Sequence, residues 1–96
     1  MNRRVTFKFR LYVAADAQNS AIATNNLRAF CRTYLPARHE IEVVDVYKEP
    51  KRALADGIFM TPTLLKLAPL PTQRIVGTLK TMQTVLNALG LEDIAT

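Results

Sequence analysis

Few side chains in this sequence could perform covalent, redox or metal chemistry. Cys31 is the only cysteine and His39 the only histidine, so the sequence permits a single thiol–imidazole pair. One thiol cannot form an internal disulfide, and a zinc site needs several cysteine or histidine ligands. Asp45 stands between Val44 and Val46, and no second acid, base or nucleophile is predicted beside it. We therefore expect no enzyme activity, metal ion or cofactor.

A proline at the start of a strand-like run, in Thr61-Pro62-Thr63, indicates the scaffold. Proline donates no backbone hydrogen bond, and the peptide bond before it can be cis at modest cost. In thioredoxin-like folds a proline in this position faces a reactive cysteine pair at the start of the first helix. The matching turn here, residues 15–20, contains no cysteine. The sequence therefore predicts a thioredoxin-like scaffold without dithiol exchange, which needs an attacking thiolate.

Hydrophobic periodicity predicts a strand, a helix and a second strand in the first half of the chain. The strand over residues 4–14 places Val5, Phe7, Phe9, Leu11 and Val13 on one face. The helix over residues 20–34 carries an apolar stripe that includes Cys31 as a buried, inert thiol. The apolar density of residues 40–47 predicts an interior strand that is covered on both faces. Strand, helix and strand at this spacing imply a βαβ unit.

The second half is predicted to continue with a helix, two strands and a last helix. Pro50 suits the first helical position, and Gly57 can supply a left-handed C-terminal cap. Residues 58–67 and 74–79 are interpreted as strands joined by a turn. A final helix with Met82, Val85, Leu86 and Leu89 on its apolar stripe completes an α/β order of βαβαββα. We expect the 96 residues to form one domain.

Composition limits the classes of partner. The net charge of +5 comes from scattered basic residues, and the aromatic content is 7%, so a nucleic-acid stacking platform is not predicted. No apolar run approaches the ~20 residues that span a bilayer. The N-terminus leads directly into a strand pattern and lacks the apolar block of a secretory signal. We expect a cytoplasmic protein that binds neither nucleic acid nor membrane.

An ordered series of short motifs over nearly the whole chain resembles the KaiB family of circadian clock proteins. The motifs are Leu11-Tyr12-Val13-Ala14, Asn19-Ser20, Val44-Asp45-Val46, Pro50, Thr61-Pro62-Thr63-Leu64, Pro69, Pro71 and Arg74-Ile75-Val76-Gly77. Thr-Pro-Thr alone is a weak signal, whereas its place in this series without Cys-x-x-Cys is specific.

The resemblance implies a non-enzymatic regulator that binds the ATPase KaiC and displaces other proteins from it. It also implies two alternative folds for the C-terminal half. One gives the order βαββααβ and assembles into dimers or tetramers, whereas the other is the thioredoxin-like order that engages KaiC. A KaiB-like sensor or adaptor domain of a histidine kinase or stress-response pathway is the alternative function. The initial Met1 and the lack of a linker favour a free-standing protein.

The resemblance also implies roles for individual residues. We expect partner contacts from the second strand and second helix, through Glu42, Asp45, Lys48, Pro50, Leu54 and Ile58. We expect fold-switch or structural roles for Tyr12, Pro62, Pro69, Pro71, Arg74, Ala88 and Gly90. Tyr12 is compatible with a core position or a subunit contact. Glu42 and Gly57 stand where the family often has lysine, and Leu70 interrupts a run of prolines, so a different partner surface is expected.

Overall fold

A mixed four-stranded sheet with helices on both faces organises the chain in the computed structural model, which describes residues 5–15, 17–80, 85 and 87. The elements in chain order are β1 (Phe7–Val13), α1 (Gln18–Tyr34), β2 (His39–Asp45), α2 (Pro50–Ala55), β3 (Thr63–Ala68) and β4 (Gln73–Val76). The strand order is β2-β1-β3-β4. β1 runs parallel to β2, while β3 is antiparallel to both β1 and β4.

The alternation predicted for the first strand separates two apolar clusters. Phe7, Phe9, Leu11 and Val13 pack on the α1 side of the sheet, together with the predicted helical stripe that includes Cys31. On the opposite side a smaller cluster joins the sheet to α2 and contains Tyr12, Val44, Ala53, Ile58 and Leu65. Tyr12 is fully buried, so the structure assigns it to the core.

The prediction that the second strand lies inside the sheet is wrong. β2 pairs with β1 alone and forms an edge of the sheet. Of its residues only Val44 is buried, because α2 covers the strand only in part. Asp45 therefore needs no buried cation such as Lys8 or Arg74, and its Oδ1 instead accepts a hydrogen bond from the Tyr47 amide at 2.8 Å.

The second half follows the predicted order with shifted boundaries. Pro50 begins α2, and Gly57 lies just beyond the helix with φ of +68°. The third strand begins at Thr63 rather than at residue 58, directly after Pro62, which follows a cis peptide bond. The element order through β4 is that of the thioredoxin-like alternative, because α2 lies between β2 and β3.

The last predicted helix is described only at Val85 and Asn87, which are both helical. Val85 is buried against the α1-side cluster. Ala88 and Gly90, with the rest of the predicted stripe, lie outside the described residues. No helix in the described part of the chain is long and apolar enough to cross a membrane.

Candidate partner-binding surface

The start of α1, where related scaffolds carry reactive cysteines, contains no group that could exchange a disulfide. Ala15, Ala17 and Gln18 occupy this turn, and the Ser20 hydroxyl accepts a hydrogen bond from the Ala14 amide at 3.0 Å. Cys31 lies towards the C-terminal end of α1, in the apolar core, and burial raises the pKa of its thiol to about 12. A thiol with that pKa is protonated at neutral pH and is a poor nucleophile. His39 binds the Leu35 carbonyl through Nδ1 and does not contact this thiol.

Metal binding also finds no support within the described ranges, where no three histidine, cysteine or acidic side chains cluster as ligands. Many of the other polar side-chain contacts lie between the sheet and α2, near the point where this helix ends. We call Asp56 and Gly57, the two residues that follow α2, the α2 corner. Side chains from β1, β2 and β4 bind the α2 corner or α2 itself.

The carboxylate of Asp56 is held by two residues of β1. Its Oδ2 accepts a short hydrogen bond from the Tyr12 hydroxyl and a second from Arg10 Nη1 at 2.9 Å. The hydrogen bond from Tyr12 holds the pKa of Asp56 below its ordinary value, with a smaller contribution from Arg10. Burial raises the pKa of Tyr12, and the hydrogen bond to Asp56 adds to this effect. Charge-assisted hydrogen bonds thus join the α2 corner to β1, which is a central strand of the sheet.

The charges of α2 are paired with β2 in the same way. Glu42 accepts hydrogen bonds from Arg10 Nε at 2.9 Å and from Arg52 Nη2 at 2.7 Å. These contacts lower the pKa of the Glu42 carboxyl, with the Arg10 bond the larger cause. Arg52 also binds Glu49 at 3.0 Å. Glu42 therefore satisfies two cations of its own chain, and its carboxylate is less available to a partner.

Arg74 reaches the α2 corner from β4. Its Nη1 donates to the Gly57 carbonyl and its Nη2 to the Asp56 carbonyl, both at 2.8 Å. Because β4 pairs only with β3 among the described strands, this contact joins the far edge of the sheet to the end of α2.

Large apolar side chains are exposed on α2 and in the segments that precede and follow it. Leu54 on α2 is 73% exposed and Phe59, two residues after the corner, is 88% exposed. Tyr47 and Met60 are exposed as well. We call these four residues, with the exposed Lys48 and Lys51 beside them, the α2 surface. A concentration of exposed large apolar side chains with a polar rim is typical of a protein-binding site.

The six residues predicted to contact a partner are placed differently from one another. Lys48, Pro50 and Leu54 are exposed on or beside α2. Glu42 is exposed but engaged in ion pairs, and Asp45 closes the turn after β2. Ile58 is buried in the cluster beneath α2, where its side chain anchors the segment that carries Phe59.

The residues predicted to have fold-switch or structural roles lie mainly in the second half of the fold. Pro62 is buried, whereas Pro69 and Pro71 flank the exposed Leu70 in the β3–β4 turn. All three follow cis peptide bonds. Tyr12 and Arg74 both bind the α2 corner.

Sequence reasoning placed partner contacts on the second helix and the start of the third strand, over Pro50–Met60, but did not single out Asp56, Phe59 or Met60. The strand was expected to begin at residue 58, which assigned Phe59 and Met60 to alternate faces of a sheet. The structure delays the strand to Thr63, so both side chains lie in an irregular segment. The signal that was present is Pro62, because proline has no backbone N–H to donate to a ladder and is typical of a strand start rather than a strand interior.

Known proteins resemble this chain in sequence and in fold. The KaiB domain family model matches residues 10–91. The circadian clock oscillator protein KaiB of Prochlorococcus marinus strain NATL2A is 41% identical over 91 residues, covering 95% of this chain and 85% of that protein. KaiB of Synechococcus elongatus is 38% identical over 91 residues, covering 95% and 89%.

Two solved structures show the fold relationship. The N-terminal domain of Synechococcus elongatus SasA has a TM-score of 0.75 at 15% identity, covering 100% of this chain and 90% of that one. Thioredoxin of Fasciola hepatica has a TM-score of 0.71 at 12% identity, covering 91% and 81%. The thioredoxin-like fold predicted from the sequence is thereby confirmed.

Proposed function

This chain belongs to the KaiB family of circadian clock proteins, and we propose that it regulates a KaiC-like ATPase by binding it through the α2 surface. The binding is non-enzymatic and competitive: occupation of the ATPase alters its phosphorylation or its access to other proteins. This activity takes place in the cytoplasm, where the ATPase has its nucleotide.

The observation that carries the proposal is the exposure of Leu54 and Phe59 on either side of the α2 corner. Burial of large apolar side chains is the main favourable term in protein association, and a few such residues usually dominate the affinity. The neighbouring acids and arginines are paired within the chain, which leaves Lys48 and Lys51 as the exposed charges of the surface. The complementary site on the ATPase is therefore apolar at its centre and acidic at its rim.

The thioredoxin-like order supports the assignment of this surface. The family resemblance gives that order to the form that binds KaiC, and the self-assembled form has the order βαββααβ. We propose that the state described is the binding state and that any dimer or tetramer belongs to the alternative state. The two states would then compete, and the ATPase would draw the population towards the thioredoxin-like one.

A matched pair of leucine substitutions tests the surface. Leu54 on α2 and Leu70 in the β3–β4 turn are 73% and 79% exposed, so replacing either with glutamine removes little buried area. We expect Leu54→Gln to weaken binding to the KaiC-like ATPase about tenfold, because it removes an interface anchor. Leu70→Gln should change the affinity by less than about twofold.

Isothermal titration calorimetry of each variant against the purified ATPase, with ATP and with ADP, measures this difference. Absence of binding by the unchanged chain in both nucleotide states would contradict the proposed function. Equal losses for Leu54→Gln and Leu70→Gln would instead contradict the location of the surface.

A further inference from the structure

The α2 corner is held simultaneously by the two halves of the chain. The Asp56 carboxylate binds Tyr12 and Arg10 of β1, while the Asp56 and Gly57 carbonyls accept both donors of the Arg74 guanidinium from β4. The backbone amides of the corner and of Ile58, which follows it, donate hydrogen bonds to carbonyls of residues 52–54 in α2 at 2.9–3.0 Å. Backbone and side-chain contacts thus hold the α2 corner together.

The contact from Arg74 depends on where β4 lies. Arg74 pairs with Leu65 in the antiparallel β3–β4 ladder, and this register places its guanidinium above the corner. A guanidinium is planar and can donate two parallel hydrogen bonds, which suits adjacent carbonyl groups. Its positive charge is also favourable at the C-terminal end of a helix, where the backbone carbonyls carry partial negative charge.

We propose that Arg74 is a positioning residue that fixes the α2 corner and so makes the partner-binding surface dependent on β4 lying beside β3. The corner separates Leu54 from Phe59, and its backbone geometry sets the distance between these two side chains. Gly57 has φ of +68°, and because glycine also populates many other backbone conformations, its residue type alone does not fix the corner. We call the two hydrogen bonds from Arg74 the clamp. Without the clamp the α2 corner samples other conformations, and the distance between Leu54 and Phe59 is no longer fixed.

The part of this inference that concerns the partner rests on the proposed function, whereas the clamp itself does not. Hydrogen exchange measures the clamp without any partner. Arg74→Met removes both donors, and Arg74→Lys keeps the charge but lacks the planar fork whose two nitrogens reach the two carbonyls. Arg28→Met is the matched control. Arg28 is exposed on α1, and its side chain forms no hydrogen bond or ion pair with another described residue.

We expect Arg74→Met to accelerate exchange of the Asp56, Gly57 and Ile58 amides about fivefold under conditions where each variant is fully folded. Arg74→Lys should restore part of the protection, and Arg28→Met should leave it unchanged. Affinity for the KaiC-like ATPase should fall by a similar factor in Arg74→Met and recover partly in Arg74→Lys.

The two readouts separate the possible failures. Unchanged exchange at these three amides in Arg74→Met overturns the clamp whatever the ATPase does. Faster exchange with unchanged affinity overturns the coupling to the binding surface while the proposed function stands. If the unchanged chain does not bind the ATPase, the proposed function and its coupling both fail, and the exchange data still decide the clamp.

Discussion

The hydrogen bond between Tyr12 and Asp56 can be measured by a double-mutant cycle. Tyr12→Phe removes the donating hydroxyl from a fully buried ring. Asp56→Asn removes the negative charge of the carboxylate that accepts this hydrogen bond. Both single variants should lower the free energy of unfolding, and the double variant should lose less than the sum of the two, because each single change breaks the same bond.

The structure sets the expected magnitudes. A hydrogen bond to a charged group contributes roughly 1.5–3 kcal/mol, and partial exposure of Asp56 puts this bond at the low end. We therefore expect Tyr12→Phe to cost about 1.5 kcal/mol. Asp56→Asn should cost about 2 kcal/mol, because the ion pair with Arg10 is weakened as well. A coupling free energy of about 1 kcal/mol follows, since the Tyr12 hydroxyl keeps the Arg52 carbonyl at 3.2 Å as a second acceptor.

The same bond predicts how stability depends on pH. The folded-state pKa of Asp56 lies below its ordinary 3.8, so its contribution is complete above that value and is lost as pH falls through the folded pKa. The folded-state pKa of Tyr12 lies above its ordinary 10.0, so its contribution is present below pH 10.0 and is lost as pH rises through the folded pKa. Asp56→Asn should flatten the acid side of the profile, and Tyr12→Phe the alkaline side.

Urea denaturation followed by circular dichroism, repeated across the pH range, gives these free energies. Tyr34→Phe is the control, because Tyr34 packs against Phe30 and its hydroxyl bonds no other described residue. Its loss should stay below about 0.5 kcal/mol. A coupling free energy of zero, or equal losses in Tyr12→Phe and Tyr34→Phe, would refute the reasoning.

Three further substitutions or reactions test other parts of the fold. Lys66 is 4% exposed and its ammonium group forms no hydrogen bond or ion pair with another described residue, so Lys66→Met should raise the free energy of unfolding by about 1 kcal/mol at pH 7. Because burial lowers the Lys66 pKa below 10.5, the gain should shrink as pH approaches that value in urea titrations. Gly57→Ala should cost about 1 kcal/mol by the same assay, since the new Cβ meets only ordinary contacts and the strain comes from positive φ. Native Cys31 should resist a disulfide reagent that labels it after unfolding, as monitored by absorbance.

The first half of the fold was predictable because local periodicity and tertiary burial agree there. The residues of β1 alternate between two sides of the sheet, and the α1 stripe with Cys31 faces the core as its spacing predicts. Pro50 and Gly57 mark the ends of α2 for reasons that are local to the backbone. In each case the residue type alone restricts the conformation.

The position of β2 at an edge of the sheet was not predictable in this way. An apolar run indicates burial of some kind, but the covering of a strand depends on the length of the helix that follows. α2 has six residues and covers Val44 alone among the residues of β2. Val43 lies opposite Leu11 on the α1 side of the sheet, and at this edge position it is 40% exposed in spite of its residue type.

The candidate site depended on contacts between residues that are far apart in the sequence. Arg10 and Asp56 are separated by 46 positions, and Arg74 meets Asp56 across 18. Neither spacing repeats a motif, so no sequence pattern pairs these residues. The family resemblance indicated a region of the chain, and the structure distinguishes buried Ile58 from exposed Phe59 within it.

On the proposed function, the arrangement around the α2 corner would let a thioredoxin-like scaffold serve as a binding protein. In a redox protein the chemistry must lie at the start of α1, but here that turn carries no thiol. The polar groups of Arg10, Asp56 and Arg74 are instead used to fix a backbone segment. Because those charges are satisfied within the chain, the side chains left for a partner are mainly apolar, and recognition depends on their relative positions. A change that preserves Leu54 and Phe59 but releases the corner should therefore weaken binding as a change in either anchor does.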